Sequence, residues 1–223
     1  MRAWVAGSSG GIGAACVAGL AGAGWDVVGT DLPTVDITRP GAAEAAAPDG
    51  PLRGAVHAIG MSGRRLGDGP LSSCTDEAWE TLLRVNLGSA FWFLRAALPR
   101  CEPGASIVLV GSVLASSLDP SFLTVAYRVS KAALVPLVEA AAYEAAPRRI
   151  RVNIVAPALV DTPMAARATT DPEVRRRLDD LMPLSGAPSS ASTVADAVCW
   201  LLGPGSAHTT GTVVRVDAGW SLR

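Results

Sequence analysis

Tyr127 and Lys131 stand four residues apart in Tyr127-Arg128-Val129-Ser130-Lys131. On a helix they share a face. A free phenol, with a pKa of about 10, is a poor acid–base catalyst at neutral pH. A fixed ammonium beside it stabilises the phenolate and lowers that value. Each unit of lowering represents about 1.4 kcal/mol. The phenol could then give a proton to a carbonyl oxygen as hydride reaches the carbon, or take one from an alcohol in reverse. The spacing alone is common in helices, so its neighbours decide its meaning. Ser112 follows the apolar run 106–110, where its hydroxyl could polarise the same carbonyl oxygen. Asn86 places an amide in an otherwise apolar helical stripe, which costs free energy unless the amide is satisfied. A water, a backbone contact or a helix-kink bond would satisfy it.

A second group of residues suits a phosphate-bearing cofactor. Gly7-Ser8-Ser9-Gly10-Gly11-Ile12-Gly13 lies between an apolar run at 2–6 and a helical pattern at 11–23. The backbone must turn tightly there and let a diphosphate approach, so side chains would obstruct it. The helix start then offers free N–H groups and partial positive charge. Asp31 ends the next valine-rich run, about 20 residues on, where a carboxylate accepts from both ribose hydroxyls and repels a 2′-phosphate. No Arg or Lys lies within seven residues of Asp31. This favours NAD, with NADP the weaker alternative. Asp36 is a candidate for the adenine edge, with Ile37 beside it.

Elements must position these groups. Strand patterns run at 2–6, 25–30, 53–58, 106–110, 151–155 and 212–216. Helical patterns run at 11–23, 76–98, 125–146 (interrupted by Pro136), 173–182 and 193–202. Thr75 or Asp76 could cap the second of these helices. Strands apolar on both faces belong to a parallel sheet covered by helices. Their alternation with helices predicts a doubly wound α/β fold. The 223 residues suit one domain spanning 1–223.

Composition narrows the function. The chain is 49% hydrophobic and 17% charged, which excludes a disordered protein. A net charge of −1 lacks the basic excess of a nucleic-acid binder. No apolar run reaches the ~18 residues of a membrane span, and with the glycine motif beginning at Gly7 no signal peptide is expected. The four scattered cysteines show no zinc or redox spacing. No metal site is expected, and a cytoplasmic location is.

Together these residues resemble the short-chain dehydrogenase/reductase family over essentially the whole chain. The glycine turn matches its cofactor motif, with Ala6 where threonine is usual. Asn86, Ser112, Tyr127 and Lys131 match its catalytic tetrad in order. Val152-Asn153-Ile154-Val155-Ala156-Pro157 with Thr162, and Gly211-Thr212 through Asp217-Ala218-Gly219, match later segments. The resemblance implies a single-domain Rossmann-like fold and a nicotinamide cofactor held by Gly7, Ser9, Gly11, Ile12, Gly13, Asp31, Asp36, Ile37, Gly60, Lys131, Pro157, Val160 and Thr162. Lys131 would also hold the nicotinamide ribose, Asn86 would anchor a relay water, and Val160 and Thr162 would meet the carboxamide.

Three departures stand out. The family's Asn-Asn-Ala-Gly appears as His57-Ala58-Ile59-Gly60, which makes His57 a substitute donor or a structural residue. Pro-Gly becomes Pro157-Ala158. Only four residues separate Asp31 from Asp36, too few for the dozen or so of a parallel crossover. The helix between the second and third strands is therefore expected to be missing, with a shortened sheet edge. Segments 61–70, 113–126 and a mobile lid at about 164–189 would surround the nicotinamide. The middle one is mostly apolar, suiting a hydrophobic ketone or alcohol. Arg64, Arg65 or Arg167 could meet an anionic group. Trp220 is a candidate interface residue, and the two long helices would form a homodimer or homotetramer. The expected activity is an NAD(H)-dependent ketone–secondary alcohol oxidoreductase on a small-molecule substrate. The alternatives are a C=N or C=C reductase on the same site and a non-catalytic NAD-binding regulator.

Overall fold

The computed structural model describes residues 1–222. Six parallel strands form one sheet: β1 (Arg2–Ala6), β2 (Asp26–Thr30), β3 (Leu52–His57), β4 (Cys101–Val110), β5 (Arg151–Pro157) and β6 (Val213–Val216). Their order is β2-β1-β3-β4-β5-β6. In the register Ala6 faces both Thr30 and His57, and His57 faces Leu109. The carboxyl ends of β1 to β4 therefore meet along one edge, where open α/β sheets bind ligands.

Ten helices connect the strands, with single 3₁₀ turns between some of them. On one face α1 (Gly11–Gly22) packs on α10 (Ala191–Leu202), and Cys16, Leu20, Val194 and Val198 seal them to Val5, Val56 and Val108. The cysteines of this layer, Cys16 and Cys199, come close enough to interact, although the sequence shows no paired spacing. The other face carries α2 (Ala42–Ala46), α4 (Ser89–Ala97) and α6 (Leu134–Ala145). Phe93 of α4 stacks on Trp4 of β1 with ring centroids 4.5 Å apart. Both are fully buried, so truncating Phe93 to alanine costs about 3–5 kcal/mol.

The structure corrects the expected edge in one respect. Residues 31–38 form neither helix nor strand, and the sheet ends at β2, as a shortened edge requires. A helix nevertheless lies between β2 and β3: the short α2. Residues 31–51 make up the whole crossover, which is long enough for it, whereas counting only to Asp36 measured part of the connection.

The two long helices are also not continuous. The span 76–98 divides into α3 (Asp76–Leu82), a wider π-helical turn at Leu83–Gly88, and α4. Thr75 caps α3 by accepting from the Ala78 N–H at 3.1 Å. The span 125–146 divides into α5 (Val125–Ala132) and α6, with the break at Ala133. Pro136 explains it: the missing N–H and the ring disrupt the turn before a proline. The segment at about 164–189, expected to be a lid, holds α7 (Ala166–Thr170), α8 (Pro172–Arg176) and α9 (Leu178–Leu181) in place of one helix at 173–182. Trp220 is buried beneath it with Leu181, Met182 and Val113, its ring 5.1 Å from Phe122. It is a core residue of this cluster, not an exposed interface residue. No helix among the described residues is long and apolar enough to cross a membrane.

Candidate active site

The glycine turn is a cradle with no space for side chains. Gly7 has φ +82°, and a Cβ there would fall 2.8 Å from the Ala58 carbonyl carbon. A Cβ on Gly13 would fall 1.9 Å from the Gly7 carbonyl oxygen, and one on Gly11 would meet the Thr162 methyl at 2.5 Å. Gly10 caps α1 without a side-chain hydrogen bond, so the first N–H groups of α1, including that of Ile12, remain for an anion. Asp31 closes the turn: its Oδ2 accepts from the Ser9 N–H at 2.8 Å and its Oδ1 from the Leu32 N–H at 2.8 Å. A carboxylate has about four acceptor positions, so this one can still accept from ribose hydroxyls. A cradle that a Cβ would fill, an uncapped helix start and an acceptor beside both fit a nicotinamide dinucleotide.

Two residues expected at the adenine have partners within the chain. Asp36 accepts from the Thr38 hydroxyl at 2.6 Å and the Thr38 N–H at 3.0 Å, and pairs with Arg39 at 3.4 Å. The Thr38 hydroxyl, above all, holds its carboxyl below the usual range. The Ile37 side chain is 2% exposed and packs in the core with Trp4 and Ala43. Its apolar side chain belongs beneath the sheet edge, and only its backbone is left to meet a ligand.

Asn86, Ser112, Tyr127 and Lys131 come from the π-helical turn, the end of β4 and α5. Asn86 is fully buried and its amide is satisfied three ways. Oδ1 accepts from the Met61 N–H at 2.8 Å, and Nδ2 donates to the Met61 carbonyl at 3.2 Å and to Ser130 Oγ at 3.0 Å. Ser130 donates in turn to the Tyr127 carbonyl at 2.8 Å. This ties Asn86 to the helix of Tyr127 and Lys131. Lys131 is 4% exposed and its Nζ donates to the Val110 carbonyl at 2.9 Å. A Cβ on Gly60 would lie 3.1 Å from that ammonium and 3.5 Å from Asn86 Oδ1, so glycine lets the two groups meet there. Ser112 is 8% exposed at the end of β4, and its Oγ accepts from the Leu114 N–H at 3.2 Å.

Electrostatics differ from the simple phenol–ammonium picture. Burial pushes the Tyr127 phenol above its usual value, and the hydrogen-bonding influence on it that lowers the value is the Ser112 hydroxyl. The Lys131 ammonium is directed at the Val110 carbonyl, and burial brings its pKa down to about 8.

His57 is structural. It is fully buried, and its Nε2 lies 2.9 Å from Ser89 Oγ. Ser89 gives its one proton to the Val85 carbonyl, so His57 must donate from Nε2. Burial, and then Lys131, lower its pKa to about 3. The imidazole braces β3 against the π-helical turn that carries Asn86.

Pro157 ends β5, and Val160 pairs with Ser189 across the base of the lid. Thr162 covers Gly11. The 113–126 segment joins the lid through Arg177, which donates to both oxygens of the buried Asp119 at 2.6 and 3.2 Å and to Ser121 Oγ at 2.7 Å. Arg64 donates to the Ser121 carbonyl at 2.9 Å. Burial, and then Arg167 facing it, lower its pKa. Arg65 is exposed. An apolar hollow of about 260 Å³ lies between Leu71, Leu114, Leu118, Phe122 and Leu123. No cluster of metal-ligating side chains occurs among the described residues.

Sequence reasoning passed over Asp68, Ser130 and Asp119. Asp68 lies between two glycines in Gly67-Asp68-Gly69, a turn signal, but its partners in α5 are nearly sixty residues away.

Comparison with known proteins agrees with this architecture. A family model described as Enoyl-(Acyl carrier protein) reductase matches residues 34–221. "Short-chain dehydrogenase/reductase ABA4" of Pyricularia oryzae is 32% identical over 182 residues, 77% of this chain and 63% of that protein. "Carbonyl reductase [NADPH] 2" of Sus scrofa is 34% identical over 155 residues, 68% of this chain and 62% of that protein. The match thus covers under two thirds of the length of either relative. A short-chain type dehydrogenase/reductase from Mycobacterium ulcerans superposes with a TM-score of 0.89 at 27% identity, covering 100% of this chain and 90% of that one. The chain belongs to the short-chain dehydrogenase/reductase family, whose members use nicotinamide cofactors.

Proposed function

We propose that this chain is an NAD(H)-dependent oxidoreductase that interconverts a ketone and a secondary alcohol. The observation that carries the reading is the placement of Ser112 at the end of β4 and of Tyr127 and Lys131 on α5, with Lys131 anchored on the Val110 carbonyl, Asn86 tied to α5 through Ser130, and the glycine cradle at the same sheet edge. When bound, the reduced nicotinamide would supply the hydride. Gly7, Ser9, Gly11, Ile12 and Gly13 would hold the diphosphate, and Asp31 the adenosine ribose. Lys131 would hold the nicotinamide ribose, with Gly60, Pro157, Val160 and Thr162 around the nicotinamide. Ile37 through its backbone, and Asp36 through Oδ2, which accepts neither Thr38 bond, would complete the adenine side.

In the reducing direction the Ser112 hydroxyl donates to the ketone oxygen and orients it. Tyr127 transfers its proton to that oxygen as negative charge develops there, so carbon gains the hydride and oxygen the proton. A phenol held above its usual pKa stays protonated at neutral pH, which suits the donor role. Asn86 and Ser130 anchor the backbone behind the phenol. The segment at about 164–189 acts as a lid, latched to the 113–126 segment by Arg177 and Asp119. The apolar hollow favours a hydrophobic ketone. The outer surfaces of α4 and α6 expose Phe91 and Tyr143, and these would join copies into a dimer or tetramer, read by light scattering.

NADH and NADPH titrations followed by tryptophan emission test the cofactor site. NADH binding should be the tighter, and Asp31→Ala should improve NADPH binding. A panel of acetophenone, 2-decanone and ethyl acetoacetate tests the chemistry. Tyr127→Phe should lose at least 90% of turnover while keeping cofactor binding, and retention of more than a tenth would sink the assignment. The matched family model favours one second reading, reduction of a C=C bond on the same site. Turnover of an enoyl thioester, with none of the three ketones, would select it.

A further inference from the structure

Helix α5 carries both Tyr127 and Lys131, yet its own N-cap residue does not cap it. Thr124 makes no side-chain hydrogen bond to the first turn. The free N–H groups are taken by a segment nearly sixty residues earlier. The Gly69 carbonyl accepts from Val125 at 3.0 Å. Asp68 Oδ1 accepts from the Ala126 N–H at 3.0 Å, and Oδ2 from the Tyr127 N–H at 3.0 Å. The Asp68 carboxylate is 5% exposed, and a buried carboxylate persists only where it is fully bonded. It is bonded to the helix start, where the backbone dipole favours negative charge. Its loop is built to hold it: a Cβ on Gly63 would strike the Asp68 Cβ at 2.8 Å, and Thr75 Oγ1 ties down the Leu66 carbonyl.

We propose that Asp68 is the positioning residue of the Tyr127 phenol, fixing the first turn of α5 through the backbone of Tyr127 itself. This rests on the acid–base reading of Tyr127. Lys131 lies one turn further in and has its own anchor in the Val110 carbonyl. Loss of Asp68 should therefore disturb the phenol more than the cofactor grip. The charged and titratable groups around the pair are Arg64 and Cys74, which face Asp68, Arg167 behind Arg64, and Lys131.

The experiment compares Asp68→Asn with Thr75→Ala, which loosens the same loop but leaves the carboxylate. On the ketones above, Asp68→Asn should lower kcat at least tenfold with NADH affinity within threefold. Thr75→Ala should leave kcat within twofold. A substrate-free reading uses the Tyr143→Phe background, because the chain has two tyrosines and Tyr127 is then its one phenol. Ultraviolet titration should show the Tyr127 phenol ionising at lower pH when Asp68→Asn is added and unmoved when Thr75→Ala is added. Wild-type kcat in Asp68→Asn, or equal losses of kcat and NADH affinity in both variants, would overturn the proposal. If Asp68→Asn fails to fold, Asp68→Ser replaces it, and amide exchange on the wild-type protein gives a further check. Free exchange at Ala126 and Tyr127 would show that the cap does not hold. A Tyr127→Phe variant with full turnover would instead defeat the acid–base reading, leaving the exchange result to judge the cap.

Discussion

His57 sits in the core as a neutral imidazole, and that makes stability depend on pH in a calculable way. Its pKa falls from 6.5 to about 3 on folding, chiefly through burial and then through Lys131. The unfolded chain therefore binds a proton below pH 6.5 that the folded chain refuses. A base with a depressed folded pKa contributes stability that is complete above the unfolded value and is lost as pH falls from 6.5 towards 3. At pH 5 the loss amounts to 1.5 units at about 1.4 kcal/mol each, so about 2 kcal/mol. The perturbation is His57→Asn, which removes the titrating group. The assay is urea unfolding followed by tryptophan emission at pH 7.5 and pH 5, at fixed protein concentration because assembly shifts apparent stability. The variant will be weaker at pH 7.5, since it loses the Ser89 bond and ring volume beside Phe93. That offset is independent of pH and cancels in the comparison. Wild type should lose about 2 kcal/mol more than the variant between the two pH values. Parallel losses, within about 0.5 kcal/mol, would refute the reasoning, because they would mean that the folded protein accepts the proton.

In a Tyr143→Phe background, Tyr127 should ionise above the usual phenol range by ultraviolet titration, since burial outweighs Ser112, and Ser112→Ala should raise it further. NADH affinity should weaken as pH rises through about 8, where Lys131 loses its charge, and Lys131→Met should flatten that dependence. Gly13→Ala places a Cβ 1.9 Å from the Gly7 carbonyl oxygen, so it should abolish NADH binding or unfold the turn, as read by calorimetry. Arg177→Leu strips the buried Asp119 of its bidentate partner; it should destabilise the lid by about 2 kcal/mol, discounted from the 3–5 of a fully buried pair because Arg177 is partly exposed, and speed proteolysis between Ala166 and Leu181.

The strands and the glycine turn were legible because they follow local rules, whereas the grouping of Asn86, Ser112, Tyr127 and Lys131 came from the family resemblance. A turn that must admit a diphosphate needs glycine whatever surrounds it, and period and apolarity mark a buried parallel strand. The breaks in the helices were not legible. Nothing in Leu83-Arg84-Val85-Asn86-Leu87-Gly88 announces a π-helical turn, and the Ser89 hydroxyl that reaches the Val85 carbonyl there meets His57, a residue distant in sequence. Asp36 shows the same limit. A short acidic side chain after a strand suits a ligand, but it suits its own Thr38 equally well, and only the fold shows that Thr38 engages it.

The electrostatics around Tyr127 differ from the simple expectation in a way that bears on the proposed mechanism. Spacing puts Tyr127 and Lys131 on one face, but it cannot say where a four-carbon stem directs its ammonium. Here burial has made that ammonium costly, and the Val110 carbonyl takes one of its three donors. The phenol is left protonated beside Ser112, in the state that a proton donor to a ketone needs. In the oxidising direction the same phenol must first lose its proton, and burial opposes that loss. On the proposed acid–base role of Tyr127, a phenol raised by burial would favour reducing a carbonyl over oxidising an alcohol at neutral pH. The bias should shrink as pH rises, because alkalinity supplies the phenolate that the protein environment withholds.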